Sequence, residues 1–259
     1  MNDGWNIVVC VKQVPDADDV TIDPDTGTLN RSDAPAVLNK PDHNAVESAL
    51  ALRDAVGGTV TAITMGPPPA SAVLQAAVAA GADGGVLLTD RAFGGSDTWP
   101  TSLALARAAE ELDADVVICG EESTDSSTGQ VPPGIAAHNG WSQLTYTESL
   151  DPRPDEGVLV GTRDVEGGYE RVAAALPVVV AMVFGANDPR PAGLHRKIFA
   201  ETEFEPVQWT AADLEIEDRV GLANSPTKVG GMDTASPVER ERTRVDSVEA
   251  LYDHLAEVL

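Results

Sequence analysis

A doubly wound parallel α/β sheet is the fold this sequence predicts, and three observations predict it. Short, almost wholly apolar runs rich in β-branched residues recur at Asn6–Val11, Val60–Met65, Gly85–Thr89, Asp115–Cys119 and Pro177–Phe184, the signature of strands buried on both faces. Amphipathic helical stretches separate the first four of them. The 259 residues suffice to cover such a sheet with helices on both sides. Alternating strand and helix imply right-handed crossovers and therefore parallel strands.

Taken in order, the first helix covers Asn44 to Val56, where Val46, Ala49, Leu50 and Val56 share a face while Glu47, Arg53 and Asp54 look outward. The second runs from Ala70 to Ala80 on Val73, Leu74, Ala77 and Val78, and the third from Thr101 to Leu112 on Leu105, Ala109 and Leu112. Two insertions interrupt the alternation. Val20–Asp23 and Thr28–Asn30 flank the turn Pro24-Asp-Thr-Gly27 as a small hairpin. Between Gln143 and Ala175, turn signals at Asp151–Asp155 and Glu166–Gly168 separate apolar-polar runs, an antiparallel insertion beside the parallel sheet. Beyond Phe184 the chain loses its period. Residues 1–186 are thus expected to form an α/β nucleotide-binding domain, and 187–259 a docking loop and an extended C-terminal arm. The arm ends in a helix with Val248, Leu251, Tyr252, Leu255 and Val258 on one stripe, which a partner chain or its own domain would cover.

Seventeen Lys and Arg stand against 42 Asp and Glu, a net charge of −25. Such a surface repels phosphate backbones and anionic lipid heads, which argues against nucleic-acid and membrane-surface partners. It suits solubility in concentrated salt, where carboxylate repulsion is screened, as in a halophile. No run approaches the ~20 apolar residues that span a bilayer, so direct membrane insertion is not expected. The start Met1-Asn-Asp-Gly-Trp5 has neither the basic residues nor the apolar run of a signal peptide, which predicts a cytoplasmic location. Two cysteines, Cys10 and Cys119, are too few for a disulfide framework or a thiolate metal cage.

In an open parallel sheet a ligand sits beyond the carboxyl ends of the strands, where the strand order reverses. With the order 3-2-1-4-5 that point lies between the first and fourth strands, so the decisive loops follow Val11 and Cys119. The second loop reads Gly120-Glu-Glu-Ser-Thr-Asp-Ser-Ser-Thr-Gly-Gln130 and opens a helix through Val131-Pro-Pro-Gly134. Hydroxyl donors, a glycine and a helix start suit a phosphate; an ordinary Ser/Thr-capped helix has the same residues. The Gly-Lys-Ser/Thr ending of a Walker loop is missing. Asp90-Arg-Ala-Phe-Gly-Gly-Ser-Asp-Thr98 follows the third strand, and Gly94 and Gly95 would admit a ligand close to the backbone or make a pliant connection. Asn39 or Asp42 could cap the next helix. His43, His138, His195 and His254 have no spacing that makes a metal site, and no serine sits in a nucleophile elbow, so no catalytic residue is assigned.

Several segments together resemble the β subunit of electron transfer flavoproteins, including its nitrogen-fixation-associated branch. They are Cys10-Val-Lys-Gln-Val-Pro-Asp16 with Ile22–Leu29, Leu38-Asn39, Asn44-Ala-Val-Glu47, Met65-Gly-Pro67, Asp90–Thr98 and Thr128-Gly-Gln-Val131. The resemblance implies a Rossmann-like, non-catalytic electron-carrier subunit in a heterodimer, whose α subunit holds a further FAD. The β subunit would hold structural AMP in the housekeeping branch and FAD in the electron-bifurcating branch. By position the nucleotide would contact Cys10, Asn39, Lys40, Pro41, Asp42, Met65, Gly120, Asp125, Ser126, Ser127, Thr128, Gly129, Gln130 and Val131, with the flavin directed toward Gly94 and Gly95. The short Asp125-Ser-Ser-Thr-Gly-Gln130 loop and the Asp90–Phe93 segment resemble the bifurcating branch, whereas Gly129 and Pro132 replace its common alanine and glycine.

The resemblance also implies docking on acyl-CoA or other dehydrogenases through the loop Pro191–Phe199, with Leu194 as anchor, and delivery of electrons to a quinone oxidoreductase or another acceptor. A rival of another class is an adenine-nucleotide-binding sensor of the universal stress protein type, which shares the fold but normally ends soon after the fifth strand. A transferase or hydrolase on the same sheet is a second rival, against which the want of a catalytic constellation counts.

Overall fold

Strand β1 (Trp5–Cys10) runs through the middle of the molecule with five of its six residues buried. In the computed structural model, residues 4–16, 21–22, 29–30, 36–228 and 244–258 are described. After β1 the chain forms β2 (Gln13–Pro15), β3 (Thr21–Ile22), β4 (Leu29–Asn30), β5 (Ala36–Leu38), α1 (Lys40–Val56), β6 (Gly58–Met65), α2 (Ser71–Ala80), β7 (Gly84–Leu88), α3 (Thr98–Glu111), β8 (Val116–Gly120) and α4 (Val131–Asn139). Then follow β9 (Ser142–Arg153), β10 (Val158–Val165), β11 (Gly168–Ala175), β12 (Val178–Met182), α5 (Leu194–Thr202), β13 (Val207–Trp209) and α6 (Val248–Val258).

Nine strands form one sheet in the order β11-β10-β9-β12-β8-β1-β6-β7-β13. From β9 to β13 all neighbours are parallel, while β9, β10 and β11 form an antiparallel meander at one edge. The stretch β7-β6-β1-β8-β12 has the order 3-2-1-4-5, the arrangement for which the switch point lies between β1 and β8. The completely buried β8 and β12 are its most apolar members, as strands covered on both faces must be. Two hydrophobic clusters lie on opposite faces: one joins α1 and α2 to the sheet through Leu50, Leu74 and Ile118, the other joins α3 and α4 through Leu105, Ile135 and Val117. Truncating Leu50, which is fully buried, would remove about 2–5 kcal/mol.

Helix α1 begins at Lys40, four residues before its apolar period, because Pro41 pre-sets the first turn. The small hairpin forms by pairing Thr21 with Asn30 and Ile22 with Leu29; the turn at Pro24–Gly27 lies outside the described residues. A further pair, β2 with β5, closes the insertion on Gln13.

The chain divides into two compact units, residues 1–228 and 229–259. Within the first, residues 187–228 are packed onto the sheet and its helices. Arg190 grips Glu47 with paired hydrogen bonds of 2.9–3.1 Å and reaches Asp54 at 2.8 Å. Asn187 is bonded to Asn44 and Ser48 of α1. Strand β13 extends the sheet beyond β7, and Ala211, Leu214, Ile216 and Val220 join the α3/α4 cluster. These anchors are single residues spread over some forty positions, so no period announces them in the sequence. The Pro191–Phe199 segment is not a loop from end to end: α5 starts at Leu194 with Lys197 N–H bonded to the Gly193 carbonyl. In the second unit, Val248, Leu251, Tyr252 and Leu255 of α6 are exposed along one stripe; the Val258 side chain lies outside the described residues.

Candidate nucleotide site

Crossovers leave β1 and β8 in opposite directions, so the switch point, where a ligand crevice is expected, lies between their carboxyl ends. The parallel register Val9↔Ile118 brings Cys10 beside Cys119 at its floor, both buried. A hydrogen bond with Cys10 and burial push the Cys119 thiol up, which keeps it protonated and unreactive at neutral pH.

One wall is the start of α1. Asp42 is buried at 5% exposure and accepts the Lys12 N–H at 2.7 Å and the Asn39 amide at 2.9 Å. Burial pushes its carboxyl up to about 7, against the pull of Asn39, the Lys12 and Gly120 N–H groups and the Lys12 charge. Asn39 also donates to the Glu122 carbonyl at 2.9 Å and accepts the Thr124 N–H at 3.0 Å. It therefore ties α1 to the loop after β8 and does not cap its own helix. Gly120 permits this approach, since a Cβ there would lie 2.4 Å from Asp42 Oδ1 and 2.8 Å from Pro41 Cβ.

The other wall is the turn Ser123–Gln130. The Lys12 ammonium reaches across from the end of β1 to Asp125 Oδ1 at 2.6 Å, Ser123 Oγ at 3.1 Å and Ser126 Oγ at 3.3 Å. The two hydroxyls are 2.7 Å apart. Burial alone would raise the Asp125 carboxyl; hydrogen bonds from Lys12, Ser123 and Ser126 with the Lys12 charge outweigh it and hold it below the usual carboxylate range. Ser127 and Gly129 adopt φ of 44° and 61°, left-handed conformations that turn successive N–H groups to one side. Among the described residues, the N–H groups of Thr128, Gly129 and Val131 have no acceptor. Pro132 and Pro133 carry no N–H, so Val131 supplies the one donor among the first three positions of α4, while Thr128 and Gly129 lie in the turn before it.

Of the remaining predicted residues, Met65 ends β6, one strand away from β1 on the same carboxyl rim, and Lys40 and Pro41 form the first turn of α1. Gln130 accepts the Thr98 hydroxyl at 2.8 Å, linking the turn to the start of α3. Gly94 and Gly95 follow β7, are exposed, and are met on one side by Leu222 and Ser225. A Cβ on Gly95 would lie 2.9 Å from Leu222, Leu222 N–H bonds the Gly94 carbonyl at 3.1 Å, and Ser225 Oγ donates to the Gly95 carbonyl at 3.1 Å. The chain's own packing therefore requires a glycine at 95. Leu194 stands apart from the crevice as the first residue of α5, 72% exposed, with Ile198 exposed one turn later.

A cation and two hydroxyls that meet on one turn, followed within a few residues by N–H groups without an acceptor among the described residues, are groups that can bind a phosphate. Sequence reasoning did not single out Lys12; Ser123 lies within the Gly120–Gln130 loop that it did single out, and Thr98 ends the Asp90–Thr98 segment. For Lys12 a signal existed: one of four lysines in the chain directly follows the first buried strand.

Comparison with known proteins shows the family of the chain. The electron transfer flavoprotein domain family matches residues 26–214. The electron transfer flavoprotein subunit beta of Clostridium acetobutylicum is 45% identical over 225 residues, 86% of each chain. Protein FixA of Sinorhizobium fredii is 39% identical over 98% of this chain and 92% of its own length. Subunit CarD of the caffeyl-CoA reductase–Etf complex of Acetobacterium woodii is 40% identical over 86% of this chain and 85% of its own.

Proposed function

The chain belongs to the electron transfer flavoprotein family, as a β subunit, and from that premise we propose that its β1/β8 crevice holds FAD rather than AMP. The observation that carries a nucleotide there is the meeting of the Lys12 ammonium with the Ser123 and Ser126 hydroxyls at the switch point, beside N–H groups of Thr128, Gly129 and Val131 that have no acceptor among the described residues. FAD is favoured over AMP by the short Asp125–Gln130 loop and the Asp90–Phe93 segment, both of which resemble the bifurcating branch. When bound, a flavin supplies a ring that takes up and releases electrons. The chain's own residues bind and orient: Asn39 holds the crevice walls together, the turn from Ser126 to Gly129 receives the diphosphate, and Met65 lines the rim. Family membership sets aside the sensor of the universal stress protein type.

In this reading the chain pairs with an α subunit that holds a further FAD, accepts electrons from acyl-CoA or other dehydrogenases and passes them to a quinone oxidoreductase or another acceptor. Leu194 and Ile198 on α5, exposed beside His195, Arg196 and Lys197, offer dehydrogenases an apolar anchor within a basic patch on an acidic chain. Mass spectrometry of the nucleotides released from denatured heterodimer tests the cofactor. Two FAD per heterodimer support the reading; one FAD with one AMP replaces FAD by AMP and keeps the site, and a single flavin with no second nucleotide ends it.

A further inference from the structure

A phosphate entering this turn meets an anion already seated there. The Asp125 carboxylate takes the Lys12 ammonium at 2.6 Å and accepts from the Ser126 hydroxyl at 3.2 Å, while Ser123 Oγ bonds both Lys12 and Ser126. A carboxylate and a phosphate oxygen are both acceptor-only anions and compete for the same donors. We propose that Asp125 is an internal stand-in for the phosphate of the bound nucleotide: Lys12 is the counter-ion of that phosphate, and Asp125 yields it on binding. This rests on the nucleotide reading above and adds to it a specificity-determining cation and its competitor.

Three features carry the exchange. The Lys12 backbone is fixed at both ends, its N–H on Asp42 Oδ2 at 2.7 Å and its carbonyl accepting from Asn39 N–H at 2.9 Å, so the side chain starts from a set position while its tip can change partners. The Lys12–Asp125 pair is 44% and 33% exposed, a setting in which ion pairs are worth about 0–1 kcal/mol and separate readily. The unbonded N–H groups of Thr128, Gly129 and Val131 on the same turn can serve a phosphate with several oxygens, and the single Asp125 carboxylate leaves them unserved. The arriving anion therefore gains more hydrogen bonds than the departing one loses. On a chain of net charge −25 the stand-in also selects against weak anions, because only a ligand that uses the whole turn repays the displaced carboxylate.

The test measures binding of FAD, AMP and adenosine to nucleotide-depleted heterodimer by calorimetry, for the wild type, Lys12→Gln and Asp125→Asn. Lys12→Gln should weaken FAD and AMP about tenfold or more and leave adenosine unchanged, since adenosine has no phosphate. Asp125→Asn should act in the opposite direction, tightening both phosphorylated ligands about threefold, again with adenosine unchanged. If Lys12→Gln binds the nucleotides as tightly as the wild type, or loses adenosine equally, the counter-ion role is overturned and the nucleotide site stands. Weaker nucleotide binding in Asp125→Asn overturns the stand-in role. Failure of the wild type to bind either FAD or AMP overturns both this inference and the reading on which it rests.

Discussion

The rim between β1 and β8 and the meander β9–β11 belong to one sheet, yet their polar groups live in different solvents. At the rim Asp42 is buried and meets several donors, Asn39 is 1% exposed and bonded to Asp42, Glu122 and Thr124, and Gly120 is the residue that admits them. On the meander the ion pairs Arg171–Asp151 and Arg163–Glu170, each at 3.0 Å, lie toward water, and β11 buries only Ala174. Where water is excluded, each polar atom must find a partner and every contact is sensitive to change. Where it is present, the same kinds of contact are nearly neutral. The rim is thus intolerant and can hold a ligand, whereas the meander can vary.

Glycine substitutions break this comparison most directly. Gly120→Val should lose about 3 kcal/mol or more, because the new side chain meets Asp42 and the Pro41 backbone. Gly161→Ala on β10 should lose about 1 kcal/mol, since its nearest neighbour is the movable end of Leu144 at 3.0 Å. Denaturant unfolding of both variants measures the difference, and equal losses would remove the contrast.

A smaller effect comes from pH. The Asp42 carboxyl binds its proton more tightly in the folded chain, at about 7, than at the ordinary value of 3.8. Between those values the native state holds more protons than the unfolded one, so this group's stabilisation is complete below the ordinary carboxylate value and is lost as pH rises toward 7. Asp42→Asn should flatten the stability profile over that window, removing a slope on the order of 1 kcal/mol per pH unit, read from unfolding midpoints at a series of pH values. An unchanged profile would place the titration elsewhere.

Salt sharpens the contrast next. With a net charge of −25, molar salt should raise the melting temperature on the order of 5 °C by screening exposed carboxylates, while the pH response of buried Asp42 persists. Thermal unfolding across salt concentrations measures it. The smallest effect is expected for Arg171→Ala, at under about 0.5 kcal/mol in denaturant unfolding, because both partners are more than half exposed.

The parallel centre was legible in the sequence because strands covered on both faces must be continuously apolar, and helices covering them must repeat every three to four residues. The candidate site was chosen by a general rule, that ligands bind where strand order reverses, applied to an assumed order that the sheet adopts. Lys12 was not legible as a site residue. Its backbone is pinned by Asp42, thirty positions away, and its ammonium meets Ser123, Asp125 and Ser126 more than a hundred positions away. The packing of residues 187–228 was equally hidden, because Arg190, Asn187 and Val220 act singly and form no pattern.

Composition and periodicity by themselves determined the fold class and the acidic balance of the chain, consequences of local rules of burial and of the residue counts. Only the tertiary structure decided which charges share the crevice, that Asn39 ties α1 to the loop after β8, and that the glycine at 95 meets Leu222. Those outcomes depend on desolvation and close approach between residues far apart in the chain, which no local pattern records.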